Sequence, residues 1–256
     1  MTERGAHRFA DIDPEYLAEL NAGTVSSRTL TEALAINHSI LLQAVLPNAP
    51  EDLRKVVSVA QELGIMKRMV AIGAALADSL TSEQSEYLAS HPSDTVRGWA
   101  CFLLGARHGD SPTAALDNIR PFADDEHFSV REWAWMAVRP ALVRDLESSI
   151  DLLAQWTADP SERVRRFASE ALRPRGVWAA HIAALKEQPE LGEPILEPLH
   201  TDPSRYVQDS VANWINDAAK TRPDWAIEIC DRWVVTSDSP ATGRIVKRAL
   251  RSIQRA

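Results

Sequence analysis

Carboxylates and arginines recur at one register along this chain. A Val-Arg pair followed by an aromatic residue and alanine appears as Val96-Arg97-Gly98-Trp99-Ala100, Val130-Arg131-Glu132-Trp133-Ala134 and Val164-Arg165-Arg166-Phe167-Ala168, spaced 34 and 34 residues apart. A looser copy, Val207-Gln208-Asp209-Ser210-Val211, follows 43 residues later. Counting each Val as zero, position 2 holds Glu132, Arg166 and Asp209, position 6 holds Met136, Glu170 and Asn213, and position 10 holds Pro140, Pro174 and Asp217. Residues four apart share one helical stripe. Glu132, Glu170 and Asp217 would therefore form a diagonal of acids if three such helices stacked. Carboxylates so placed can stabilise a developing cation and hold a water. The plainer reading is that Glu170 makes i,i+3 and i,i+4 salt bridges on a solvated face, each worth ~0.3–0.5 kcal/mol.

The cations nearby suggest a phosphate partner. Residues 163–175 carry five arginines and a single acid, Glu170, and residues 244–256 carry Arg244, Lys247, Arg248, Arg251 and Arg255 with no acid. Arg166, Arg173 and Arg175 are expected near a phosphate backbone, with the C-terminal group as a weaker patch. Tryptophans number 8 against 3 tyrosines. Trp133 adjoins Glu132, Trp214 adjoins Asn213, and Trp178 follows the Arg173-Pro174-Arg175-Gly176-Val177 turn. A tryptophan face attracts a cation by ~0.5–2 kcal/mol. On the plainer reading Trp99, Trp133 and Trp214 are core, while Trp178 starts a helix after its turn and is exposed.

These residues need helices to present them, and the composition supplies helices. The 256 residues are 45% apolar and 25% charged, with only 10 glycines and with 15 prolines spread at intervals. No apolar/polar alternation runs long enough for a strand. Asp125, Asp159 and Asp202 each stand five residues before the Val of a copy. Asp159-Pro160-Ser161-Glu162 reads as a helix start with Asp as N-cap; Asp202-Pro203 and Ser111-Pro112 repeat that chemistry. Val164, Phe167, Ala168, Ala171 and Leu172 follow at helical spacing. Two helices per ~35–45 residues resembles the HEAT repeat, whose units bury their apolar faces only by stacking. The expected fold is an all-α, HEAT-like α-solenoid of about a dozen helices. Its inner helices are expected at 94–106, 128–139, 161–173 and 204–220. The expected organisation is a single domain over 1–256, with N-terminal helices to residue 90 and repeats from 91 lining a concave face.

Other chemistries are missing. No Gly-rich phosphate loop, nucleophile elbow or His-Glu-x-x-His run occurs. The seven histidines show no paired ligand spacing, so no metal is expected and most should lie at the surface. Cys101 and Cys230 are far apart and suggest a reducing compartment. The longest apolar stretch, Met69 to Ala77, is too short to span a bilayer. The opening residues MTERGAHRFADID carry acids early, which speaks against a secretory signal and for a cytoplasmic protein. The net charge of −8 taken alone disfavours nucleic acid.

Longer segments carry a family resemblance. RRFASEALRPRGVW (165–178) and YVQDSVANWINDAAKTRPDW (206–225) resemble the AlkC branch of the AlkC/AlkD alkylpurine DNA glycosylases. HFSVREWAWMAVRP (127–140) and LAELNAGTVSSRTLTEALAINHSILLQAVLP (17–47) fit the same family. The resemblance implies a HEAT-like solenoid that holds double-stranded DNA in its concave face. It implies excision of cationic N3-alkylated bases, 3-methyladenine and 3-methylcytosine, without base flipping. No cofactor or metal would take part, and the protein would be a monomer associating with the bacterial nucleoid when acting. Glu132, Glu170 and Asp217 match acids that face the lesion's sugar, and Arg166 and Trp178 match positions lining the same site. Trp133, Arg173, Arg175 and Asn213 complete the expected DNA- and lesion-contacting set. Two departures stand out. Gln208-Asp209 replaces a basic residue and should weaken one phosphate contact, and the chain stops soon after its last basic helix, without the C-terminal immunoglobulin-like domain of some relatives. Two other functions compete: a catalytically silent HEAT-repeat protein that binds DNA structure, and a HEAT scaffold for a protein partner, which the net charge would suit.

Overall fold

The structure is a computed structural model and describes residues 5–253. Its regular elements are sixteen α-helices and four short 3₁₀ turns, with no strand among the described residues. The early residues of the opening segment and Arg255 of the C-terminal basic run lie outside the described residues. Contacts gather into two units, residues 1–138 and 139–256, divided in sequence within helix Phe128–Arg144.

In the first unit, helix Ile65–Ser79 packs on helix Asp94–His108, which also packs on helix Pro112–Ala123. Gly73 permits the first contact: a Cβ there would lie 2.4 Å from the Cβ of Phe102. In the second unit, helix Glu162–Glu170 packs on helix Arg205–Ala219, which packs on helix Pro240–Ala249. This row of inner helices thus runs one helix beyond the last Val-marked copy. The spacing of Val164, Phe167, Ala168, Ala171 and Leu172 does what its period implies, and all five are buried.

Helix ends differ from expectation in two places. Helix Phe128–Arg144 runs through Pro140 instead of stopping at 139, and helix Glu162–Glu170 stops at 170 instead of 173. Just beyond the end of the second helix, the backbone carbonyls are taken by side chains. Arg139 donates to the Ala171 and Arg173 oxygens, and the Trp214 indole donates to the Leu172 oxygen.

The aspartates before each Val are not N-caps. The cap residues are Ser161 and Ser204, whose hydroxyls accept from the Arg163 and Tyr206 N–H groups. Ser111 caps its helix as expected. Asp159 and Asp202 instead accept the N–H two residues on, from Ser161 and Ser204 at 2.8 Å each. The carboxylates of Asp125 and Asp202 serve as sockets for the Arg of a preceding copy. Arg97 grips Asp125 with two bonds of 2.9 and 3.2 Å, and Arg165 grips Asp202 with two of 2.6 and 3.2 Å. The remaining nitrogen of each Arg holds carbonyls of its own loop, His91 and Pro92 for Arg97, and Asp159 and Pro160 for Arg165. Bidentate arginine–carboxylate pairs are the strong, directional kind.

Gln208 stands where Arg97 and Arg165 stand. Its amide donates to the Asp202 oxygen at 2.8 Å and its carbonyl accepts from Arg244 at 3.2 Å. The Gln208 side chain is thus buried, bound to the backbone of its own loop and to Arg244 of helix Pro240–Ala249.

The histidines also depart from expectation. Only His7 and His181 are exposed, while His38 and His91 are buried. Trp99 donates its indole N–H to Nδ1 of His38 at 3.0 Å, which places the imidazole proton on Nε2. Burial, with the charge of Arg68, pushes the His38 pKa from 6.5 down to about 3.

Two predictions follow from these contacts. Asp202→Ala strands the Arg165 guanidinium and the Ser204 N–H and should lower stability by about 1–3 kcal/mol in urea denaturation. His38 should make the fold acid-sensitive. The unfolded chain takes up a proton below pH 6.5 and the native state resists until about 3, so stability falls as pH drops through that window. The slope from this group is at most about 1.4 kcal/mol per pH unit. His38→Gln, which keeps an acceptor for Trp99, should flatten the urea midpoint between pH 6.5 and 4.

Candidate functional site

Glu170 and Asp217 come from helices Glu162–Glu170 and Arg205–Ala219, which pack side by side. Both are 4% exposed, and one guanidinium joins them. Arg173 donates through Nη1 to Glu170 Oε1 at 2.7 Å, and through Nε and Nη2 to Asp217 Oδ2 at 3.0 and 2.7 Å. The outer oxygens are also engaged. Ser210 donates to Glu170 Oε2 at 2.6 Å, Arg166 lies 3.5 Å from the same oxygen, and Lys220 donates to Asp217 Oδ1 at 3.1 Å.

The Glu170 and Arg173 charges are held ionised. Burial pushes the Glu170 carboxyl upward and is the largest single influence. The charges of Arg166 and Arg173 and the bonds from Ser210 and Arg173 together outweigh it, leaving the group below the usual carboxylate range. Burial likewise pulls the Arg173 guanidinium down, and the two carboxylates more than compensate. The i,i+3 and i,i+4 partners of Glu170 are thus real, on a buried face rather than a solvated one.

Other expected residues fall around this bridge. Arg166 stacks over the Tyr206 ring at 4.8 Å, and Arg175 donates to the Asp217 carbonyl at 3.1 Å. Asn213 is half-buried and accepts from Arg251 at 3.0 Å. Arg173 faces inward with both carboxylates, so its expected place on a phosphate is corrected: two buried acids claim the guanidinium. In the C-terminal patch, Arg244 and Arg248 share Asp209 at 2.7 and 3.3 Å.

Glu132 and Trp133 belong to the first unit. Glu132 accepts the Trp135 indole N–H at 2.8 Å. Trp133 is buried, set against Phe102 at 6.0 Å and against Gly98, where a Cβ would meet its ring at 2.6 Å. Its role as a lesion contact is therefore corrected, since core packing covers both the residue and its ring.

Trp178 is exposed, as expected, but it starts no helix. It sits in a turn with φ 60°, a left-handed conformation costing a non-glycine residue roughly 1–2 kcal/mol. Val177 beside it is also exposed. The turn is tied down from beneath by Arg139, which donates to the carbonyls of Ala171 and Arg173 at 2.6 Å each and of Ala180 at 3.2 Å. Burial brings the Arg139 pKa down to about 10, so it remains a cation at neutral pH.

Arg139, Ser210 and Lys220 were not foreseen. Lys220 is three residues after Asp217 and could have been read as its partner. Arg139 lies off the acid stripe, nine residues after Val130, and nothing local marks it.

Among the described residues, no cluster of His, Cys, Asp and Glu is suited to a metal ion, and no helix is long and apolar enough to cross a membrane.

Comparison with known proteins defines the class first. The HEAT-repeat family matches residues 81–173. The chain superposes on the Pseudomonas fluorescens alkylpurine DNA glycosylase AlkC bound to DNA containing an abasic site analog. The TM-score is 0.64 and the identity 24%, over 98% of this chain and 66% of that one. It also superposes on AlkD2 from Streptococcus mutans, with a TM-score of 0.61 and 20% identity over 78% of this chain and 98% of that one. The chain therefore has the all-α HEAT-repeat fold, the fold of AlkC and AlkD2 that the sequence resemblance implied. In sequence it is 39% identical over 149 residues to the uncharacterized protein YhaZ of Bacillus subtilis (strain 168), a match spanning 58% of this chain and 39% of that protein.

The bridge yields a stability prediction. Arg173→Met leaves two buried carboxylates without their shared counter-charge and should cost about 3–5 kcal/mol at pH 7. Glu170 has a lowered native pKa, so its contribution is present above 4.5 and is lost as pH falls through the native value. The gap between wild type and Arg173→Met in urea should accordingly narrow below about pH 4.5. A constant gap would mean that the charges contribute little.

Proposed function

We propose that this protein is a DNA glycosylase of alkylation repair, hydrolysing the N-glycosidic bond of cationic N3-alkylated bases in double-stranded DNA without base flipping. The observation that carries the reading is the pair of carboxylates, Glu170 and Asp217, bridged by Arg173 in a fold shared with a glycosylase solved on DNA. A base alkylated at N3 already bears positive charge and leaves as a neutral molecule, so it needs no protonation. The positive charge passes to the sugar, and the catalytic demand is to stabilise that oxocarbenium and place a water. Ionised carboxylates serve both ends. Trp178 offers an exposed indole face to the cationic nucleotide. Arg175, Lys247 and Arg251 are the candidate phosphate contacts, and Glu132 is the third candidate acid.

A second reading has its own support. Glu170 and Asp217 are each 4% exposed and engaged at both oxygens, as in a purely structural ion-pair network. The protein would then bind DNA structure without cutting a bond. The two readings part on one measurement, single-turnover release of 3-methyladenine and 3-methylcytosine from methylated duplex. On the glycosylase reading wild type releases base, and Glu170→Gln and Asp217→Asn slow release by ~10²–10⁴ while still folding and binding duplex. Near-normal release by both variants would remove their catalytic role, and no release by wild type would favour the silent DNA-binding protein.

A further inference from the structure

We infer that Arg139 is the positioning residue for Trp178, fixing the exposed indole at a set register to the Glu170–Asp217 pair. The inference rests on the proposed glycosylase reading for what Trp178 contacts. The clamp itself is a matter of geometry.

The segment between Ala171 and Ile182 has no helix to organise it. Its own backbone contributes the Ile182 N–H to the Pro174 oxygen and a long bond from Ala179 to Gly176. Beside the Trp214 indole's bond to the Leu172 oxygen, Arg139 adds three bonds from one planar group. Nη1 takes the Ala171 oxygen at the start of the loop, and Nη2 takes both the Arg173 oxygen and the Ala180 oxygen near its end. Gly176 lies close against the guanidinium: a Cβ there would stand 3.3 Å from Cζ and 3.4 Å from Nη2. A rigid fork of donors can hold two chain segments at a fixed separation, whereas a lysine ammonium is a point charge on a flexible stem.

Trp178 sits at the far side of this loop with its backbone left-handed and its side chain 46% exposed. The ends of the loop that carries it are anchored by Arg139. Arg173 is the shared element. Its carbonyl accepts from Arg139 while its guanidinium joins Glu170 to Asp217. The anchor of the indole loop and the anchor of the acids are thus one residue, and Arg139 holds it from below.

The test is a double-mutant cycle of Arg139→Lys with Trp178→Ala, read as single-turnover 3-methyladenine release with melting temperature measured on every variant. Trp178→Ala should slow release by about tenfold, the loss of one base–aromatic stack. Arg139→Lys should slow it by a comparable factor, and the double variant should be no slower than Trp178→Ala alone. A merely structural arginine would lower the melting temperature and multiply with Trp178→Ala, and that result overturns the inference, as does unchanged release by folded Arg139→Lys. Should Arg139→Lys not fold, Gly176→Ala crowds the guanidinium without removing it, and the same cycle with Trp178→Ala applies. If wild type releases no base, the glycosylase reading fails. The cycle is then read on the affinity for duplex holding an abasic-site analogue, where non-additivity supports the clamp and additivity removes it.

Discussion

A short amphipathic helix pair cannot bury its apolar stripe alone, and everything else in this chain follows from the need to stack. Stacking by apolar contact would leave neighbouring helices free to slide, because burial is non-directional. The arginine–aspartate sockets supply the missing direction. Arg97 with Asp125 and Arg165 with Asp202 each fix one helix against the loop before the next, with two bonds in one plane. Each Asp also braces the turn that launches its own helix, so the link between repeats and the start of the helix are set by the same carboxylate. Where the pattern lapses at Gln208, a neutral amide keeps the bond to the Asp202 oxygen, and Arg244 of the next helix approaches from the other side.

With the helices fixed in this way, residues far apart in sequence can share a buried charge cluster. Arg173 reaches Asp217 across 44 positions because helix Arg205–Ala219 is held beside helix Glu162–Glu170. Breaking such a cluster costs more than it contributes when whole, since any one member left behind is an uncompensated buried charge. The cluster is therefore rigid for the same reason it is hazardous. Rigid, ionised acids are what stabilisation of a cationic transition state requires, because oriented groups need no reorganisation when charge develops.

Much of this was legible in the sequence. The 34-residue recurrence of Val-Arg-x-aromatic-Ala marked the inner helices, and the i,i+3 relation of Glu170 and Arg173 marked one half of the bridge. The other half was hidden, because the register of Asp217 against Arg173 depends on how two helices slide, which no single-helix period encodes. Trp133 was misread for a related reason: proximity in sequence to Glu132 says nothing about direction, and Gly98 opens a slot that draws the ring inward. Asp-Pro-Ser before a helix satisfies a cap from either Asp or Ser, so Asp159 and Asp202 read as caps in sequence. The structure gives the cap to Ser in both, and at Asp202 the side chain is left for the neighbouring Arg165.

The early end of helix Glu162–Glu170 ties the two halves of the candidate site together. Had that helix run to Arg173, its terminal carbonyls would have lain along the helix axis. The turn carrying Trp178 would then have begun further on. Beyond Glu170 the Ala171 and Arg173 carbonyls are taken by Arg139 and the Leu172 carbonyl by Trp214. The termination that lets Arg173 swing toward Asp217 is thus the same one that opens the loop for Arg139 to hold. Burial lowers the Arg139 pKa to about 10, and the charges of Glu170 and Asp217 offset part of that fall. The acids therefore stabilise the clamp electrostatically while the clamp steadies the residue that joins them, which makes the indole and the carboxylates parts of one mechanical unit.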